Sequence, residues 1–236
     1  MDREKVRKLT QRLGDSRTKK VVFLSHCILN ENTRYLGGAG RGACVREIME
    51  QCLAADIGMV QTPCPEQLAW GGVSKRLLLR AYGAKGTLPF RFRQMLLPLV
   101  IAYTRFVYRR IAKQAAKQIE DYLDSGYTVV GVVGVDGSPS CGVGKTLDLR
   151  GSFDSITEIE VESLTAHKMN DIVRRNLKDG GGLFTSALKE ELEGRGIAVP
   201  FLAHDLIAEL DGKKSNVDLS CARFGQSNLP ADREPS

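Results

Sequence analysis

The chain has 236 residues, with 34 Lys and Arg against 28 Asp and Glu, a net charge of +6, and 42% hydrophobic residues. That hydrophobic share excludes disorder over the whole chain, and the length suits one domain with a few additions. No apolar run reaches the ~18 residues of a membrane span, and the charged opening lacks the apolar core of a secretory signal, so a cytoplasmic protein is expected.

Residues 1–14 read as a polar amphipathic helix within an N-terminal segment 1–19. Lys20-Val21-Val22-Phe23-Leu24-Ser25 is a short continuous apolar run, the pattern of a strand buried on both faces. It ends at His26-Cys27. A Gly-rich loop and a helix over roughly 43–54 follow. The second strand, 57–61, ends at Pro63-Cys64-Pro65-Glu66. About sixty residues later comes the clearest strand, 128–135, which ends in Asp136-Gly137-Ser138-Pro139-Ser140-Cys141-Gly142. Helices are expected near 158–178 and 183–194, and a last strand at 197–202. The α/β domain then covers 20–225, and the polar, Pro-containing tail 226–236 reads as disordered. Strands alternating with helices imply a parallel α/β sheet, in which ligands bind beyond the carboxyl ends of the strands.

Six cysteines lie at 27, 44, 52, 64, 141 and 221, with no Cys-x-x-Cys pair. Structural disulfides are not expected in a reducing cytosol. Cys27, Cys64 and Cys141 each fall just past a predicted strand, so the fold would bring them together. Three thiolates at one edge suit a soft metal centre. An iron–sulfur cluster usually takes four, so three leave one iron open to water or substrate. Glu66, two residues after Cys64, and Ser138, three before Cys141, suit an acid/base and a hydroxyl donor at the same edge. The competing reading makes each cysteine a small buried hydrophobe.

Ser25-His26-Cys27-Ile28-Leu29 through Arg34-Tyr35 and Gly37-Gly38 resembles the opening motif of the thiouracil desulfidase family. Cys64-Pro65-Glu66 followed by Gly71-Gly72 resembles its second motif. Ser138-Pro139-Ser140-Cys141-Gly142 resembles its third, the most specific, and Gly182-Leu183-Phe184 onward resembles its C-terminal signature more weakly. The resemblance implies a Rossmann-like α/β domain in which Cys27, Cys64 and Cys141 hold a [4Fe-4S] cluster. It further implies removal of sulfur from a thiolated base, free or as thiouridine in tRNA, with Glu66 as general base or proton shuttle and Ser138 orienting or protonating substrate. This chain departs in His26, in the Val135-Asp136-Gly137 that precedes the third motif, and in a longer segment between the second and third motifs.

That segment, a helical insert at about 75–124, is basic. From Gln67 to Ile119 there is no Asp or Glu, and the stretch carries +11, which leaves −5 for the rest of the chain. Helical periodicity runs over about 91–124, with Pro98 expected to kink or break it. A patch for RNA using Arg91, Arg93, Arg105, Arg109 and Arg110, an interfacial amphipathic helix, and a helix that merely solvates its charges all fit. A cluster-bearing sensor that binds nucleic acid through this segment is the rival function. Other candidate substrate contacts are His26, Arg34, Tyr35, Ser140 and Lys145. Gly144-Lys145-Thr146 resembles part of a phosphate-binding loop, but Pro139 stands where its first Gly belongs. His204-Asp205, after the last predicted strand, either lines the pocket or starts a helix.

Overall fold

The computed structural model describes residues 3–78, 88–157, 159–160 and 163–219. The expected disordered tail, Cys221, Arg80 and Lys85 lie outside these residues, and so does the side chain of Arg93.

Six strands form among the described residues: β1 (Lys20–Ser25), β2 (Gly58–Thr62), β3 (Thr128–Asp136), β4 (Lys145–Leu147), β5 (Leu177–Asp179) and β6 (Phe201–Asp205). Four of them make a parallel sheet in the order β2-β1-β3-β6. The helices described are α1 (Arg3–Arg12), α2 (His26–Leu29), α3 (Arg46–Ala54), α4 (Pro65–Ala69), α5 (Leu88–Arg91), α6 (Arg93–Asp124), α7 (Leu149–Thr157), α8 (Ala166–Arg175), α9 (Leu183–Glu193) and α10 (Leu206–Leu210). They flank the sheet, and the α/β Rossmann-like reading holds.

The unbroken apolar runs of β1 and β3 follow from burial on both faces. Val21, Phe23, Val129 and Val132 pack with α6 and α9 through Tyr108, Ile111, Ala115, Ile119, Leu188 and Leu192. Val22, Leu24, Val130, Val133 and Val135 pack on the other side with Ile48 and Cys52 of α3 and with Val217 and Leu219.

Three boundaries differ from the sequence reading. The last strand is 201–205, not 197–202. Pro200 cannot donate to a ladder, and its carbonyl instead accepts Val132 N–H at 2.8 Å at the strand's entrance. His204 and Asp205 therefore belong to the strand. The expected helix 158–178 is displaced: α7 precedes it, Thr165 caps α8 by accepting Lys168 N–H, and residues 177–179 pair with 145–147 as a small antiparallel ribbon. Finally, α6 runs unbroken through Pro98, which sits in its second turn and costs it one hydrogen bond.

Candidate functional site

The chain leaves β1 toward β2 on one side, while β6 lies on the other side of β3. The carboxyl ends of β1 and β3 thus flank a topological switch point, where open α/β sheets bind ligands. Cys27 sits in α2 directly after β1, Cys64 is the N-cap of α4 after β2, and Cys141 lies in the turn after β3. All three line one cavity, with His26, Arg34, Tyr35, Glu66, Ser138 and Ser140. Its volume of about 140 Å³ admits a small group rather than a folded polynucleotide. Lys145 is not among the lining residues. It is exposed on β4, opposite Asp179.

Burial pushes each of the three thiols above the ordinary cysteine range, Cys64 to about 12. The negative charge of Glu66 and of the neighbouring thiolates adds to this. Opposing it are the Arg34 guanidinium beside Cys27, the Gln67 backbone N–H beside Cys64 and the Ser25 hydroxyl beside Cys141. As thiolates the three would repel one another and Glu66, so the arrangement fits a strongly cationic group that takes all three. Among the described residues no three His, Cys, Asp or Glu side chains gather tightly enough to hold one metal ion. A cluster poses a different demand, because each thiolate binds its own iron.

Beside the thiols runs a chain of hydrogen bonds. Tyr108 OH lies 2.7 Å from Ser140 Oγ, Ser140 Oγ donates to Glu66 Oε1 at 3.0 Å, and Lys75 Nζ stands 3.2 Å from Glu66 Oε2. Since Ser140 spends its proton on Glu66, Tyr108 is the donor to Ser140. Burial, with Glu66 behind it, raises the Tyr108 phenol well above its usual range and keeps it protonated. Lys75 is buried, adopts φ +49, and also donates to Thr33 O at 3.1 Å. Trp70 lines the cavity and donates to Thr104 Oγ1 at 3.0 Å. Lys75, which lines the cavity, and Thr104 and Tyr108, which hydrogen-bond Trp70 and Ser140 of its lining, all come from the basic insert. The wall opposite is apolar: Phe153, Ile156, Met169, Ile172 and Val173.

The Cys141 turn is held from three sides. Ser138 Oγ accepts the N–H groups of Ser140 and Cys141 at 3.2 and 3.1 Å. Asp136 Oδ1 accepts those of Val143, Gly144 and Lys145 at 2.8, 2.9 and 3.1 Å. The phosphate-loop resemblance ends there, since the backbone donors a phosphate would use already hold the protein's own carboxylate. The first turn of α9 spends its free N–H groups on the same turn, Leu183 on Pro139 O and Phe184 on Ser140 O, both at 3.0 Å.

Arg34 belongs to a buried ionic group. It pairs with Glu209, whose Oε2 also lies 2.5 Å from His204 Nε2 and 2.7 Å from Arg41. Glu31 stands 3.4 Å from Arg34. Burial alone would raise the Glu209 carboxyl, but His204 and Arg34 outweigh it and hold it down to about 2. His204 is thus part of Arg34's support, outside the cavity lining, and Asp205 starts α10 by accepting Ile207 and Ala208 N–H. Tyr35 donates to Asn170 at 2.8 Å, and burial raises its phenol to about 12. His26 lines the cavity, and burial lowers its pKa.

Sequence reasoning missed Lys75, Tyr108 and Glu209. Lys75 is one of eleven basic residues of the insert, Tyr108 is one of the aromatics interleaved with them, and Glu209 carries no local motif. No family model, no curated protein and no solved structure matches this chain.

Proposed function

We propose that this chain is an iron–sulfur-dependent desulfidase that converts a small thiocarbonyl compound and water into the oxo compound and hydrogen sulfide, without net redox change. The observation that supports it most is the meeting of Cys27, Cys64 and Cys141 at one cavity with the Glu66–Ser140–Tyr108 chain. Those three thiolates would hold a [4Fe-4S] cluster. When bound, the cluster supplies an iron without a protein ligand, a Lewis acid with affinity for soft sulfur.

The chain's own residues do the rest. The apolar wall around Phe153 and Ile172 takes a planar ring and excludes bulk water. Glu66 accepts the proton of the attacking water, while the Lys75 ammonium balances its charge. Glu66 then returns that proton to the departing sulfide, while Tyr108 and Ser140, donating along the line Tyr108–Ser140–Glu66, hold its carboxylate in place. Ser138, expected from sequence to be the catalytic hydroxyl, takes the task of holding the Cys141 turn. Free thiols of this kind suit a reducing compartment, which supports a cytoplasmic location.

The rival reading, a cluster-bearing sensor that binds nucleic acid through Arg91, Arg105, Arg109 and Arg110, gives the buried Glu66–Ser140–Tyr108 chain no task. Anaerobic reconstitution followed by iron and sulfide analysis tests the cluster, with about four irons per chain expected, lost in Cys27→Ala, Cys64→Ala and Cys141→Ala. Sulfide release from 2-thiouracil and from thiouridine tests the reaction. A loaded protein that releases sulfide from neither, with Glu66→Ala indistinguishable from it, favours the sensor. A protein that takes up no iron overturns both.

A further inference from the structure

The outward face of α6 is apolar where solvent would be expected to select polar residues. Met95, Leu99, Tyr103 and Phe106 recur at helical spacing and are 73%, 67%, 50% and 59% exposed. Leu88 on α5, 70% exposed, and Phe92 between the two helices extend this ridge. The opposite side of α6 already has its partners: Tyr108, Ile111, Ala115 and Ile119 pack on the sheet, and Leu97 packs with Phe153. A contiguous exposed ridge of this kind marks a contact with something outside the molecule. Arg91, Arg105, Arg109, Arg110 and Lys113 stand exposed along it, and no acidic residue occurs between Gln67 and Ile119.

We infer that α5 and the first half of α6 lie in the surface of an anionic lipid bilayer, with the ridge Leu88–Phe106 among the acyl chains and the arginines among the headgroups. Charge and side-chain type select this occupant. Leu88, Met95 and Leu99 offer no ring for a base to stack on and no donor for a phosphate, so RNA leaves them in water. A second copy docked symmetrically would set one arginine flank near the other, and α6 itself carries no carboxylate before Glu120 to offset them. Among the described residues no helix is long and apolar enough to cross a membrane, so the helix lies on the bilayer. This inference does not depend on the reaction proposed above.

Co-sedimentation of the full chain with vesicles tests it. Vesicles of phosphatidylcholine mixed with phosphatidylserine are compared with phosphatidylcholine alone, for wild type, Met95→Glu/Leu99→Glu and Arg105→Gln/Arg109→Gln, with circular dichroism to verify each fold. Strong partition to the mixed vesicles is expected, at least about tenfold above the neutral ones. It should weaken about tenfold for each glutamate and severalfold for each arginine removed. Absence of partition to the mixed vesicles overturns the inference. So does partition lost with the arginines yet unchanged in Met95→Glu/Leu99→Glu, the signature of a charge-only patch such as RNA uses. A dimer in sedimentation that Met95→Glu/Leu99→Glu dissolves, without vesicle binding by the wild type, overturns it as well.

Discussion

Ser138 and Ser140 stand on either side of Pro139 and do different work. Ser138 accepts two backbone N–H groups and fixes the turn that presents Cys141, whereas Ser140 joins Tyr108 to Glu66. Ser140→Ala should therefore lower sulfide release by about 10²–10⁴-fold with iron content unchanged. Ser138→Ala should instead lose iron on gel filtration, since two buried donors are left without an acceptor. Glu209 gives a pH-dependent case. Its carboxyl falls from an ordinary 4.5 to about 2 in the fold, so it stabilises the folded chain above pH 4.5 and that contribution disappears as the pH falls through about 2. The effect is on the order of 3 kcal/mol. Urea titrations should show stability falling over that range, and Glu209→Gln should flatten the fall while costing stability at neutral pH. At this scale the cysteines were legible because a strand end marks a sheet edge. Lys75 was not, because nothing local in sequence separates a buried ammonium at φ +49 from exposed neighbours such as Arg91, Arg105, Arg109 and Lys113.

The junction between α9 and the Cys141 turn is a matter of fit between elements. A Cβ at Gly182 would stand 2.4 Å from the Ser140 carbonyl, and one at Gly134 would stand 2.3 Å from the Cys141 carbonyl. Both contacts are with backbone, which cannot swing aside. Gly182→Ala should cost about 1–3 kcal/mol by denaturant unfolding and loosen iron retention. Gly42→Ala meets nothing within 4 Å and serves as the neutral comparison. Gly182-Leu183-Phe184 therefore bears on the site through its backbone: it closes the turn that carries Cys141. The ribbon β4–β5 escaped the sequence reading, since three-residue strands are too short for a periodic signal. Its register nonetheless follows once Asp136 folds residues 143–145 back over the strand end.

Across the whole molecule, the sheet was readable because β1 and β3 are continuous apolar runs, buried on both faces. The order of its strands was not, since the pairing of β1 with β3 joins residues more than a hundred positions apart. Charge segregation was visible from composition, but its meaning was not. Only the fold shows that the insert turns Tyr108 and Thr104 inward and Met95 and Leu99 outward. Tyr108→Phe should accordingly affect two levels at once, with a stability loss of about 1 kcal/mol and a slower reaction, read by urea unfolding and by sulfide release. The three thiols also share a property that belongs to no one strand. They arise after β1, β2 and β3; in the fold Cys141 is buried, Cys27 and Cys64 are half-buried at the cavity, and burial raises all three thiols above the ordinary cysteine range. In the opened chain each reverts to an ordinary cysteine that alkylates readily at mildly alkaline pH. The part of each iodoacetamide labelling rate that grows with added urea is therefore a built-in clock of strand separation at Cys27, Cys64 and Cys141. Equal rates at the three positions would mean that the sheet comes apart as one unit, and faster labelling at Cys64 would mean that its edge strand peels first.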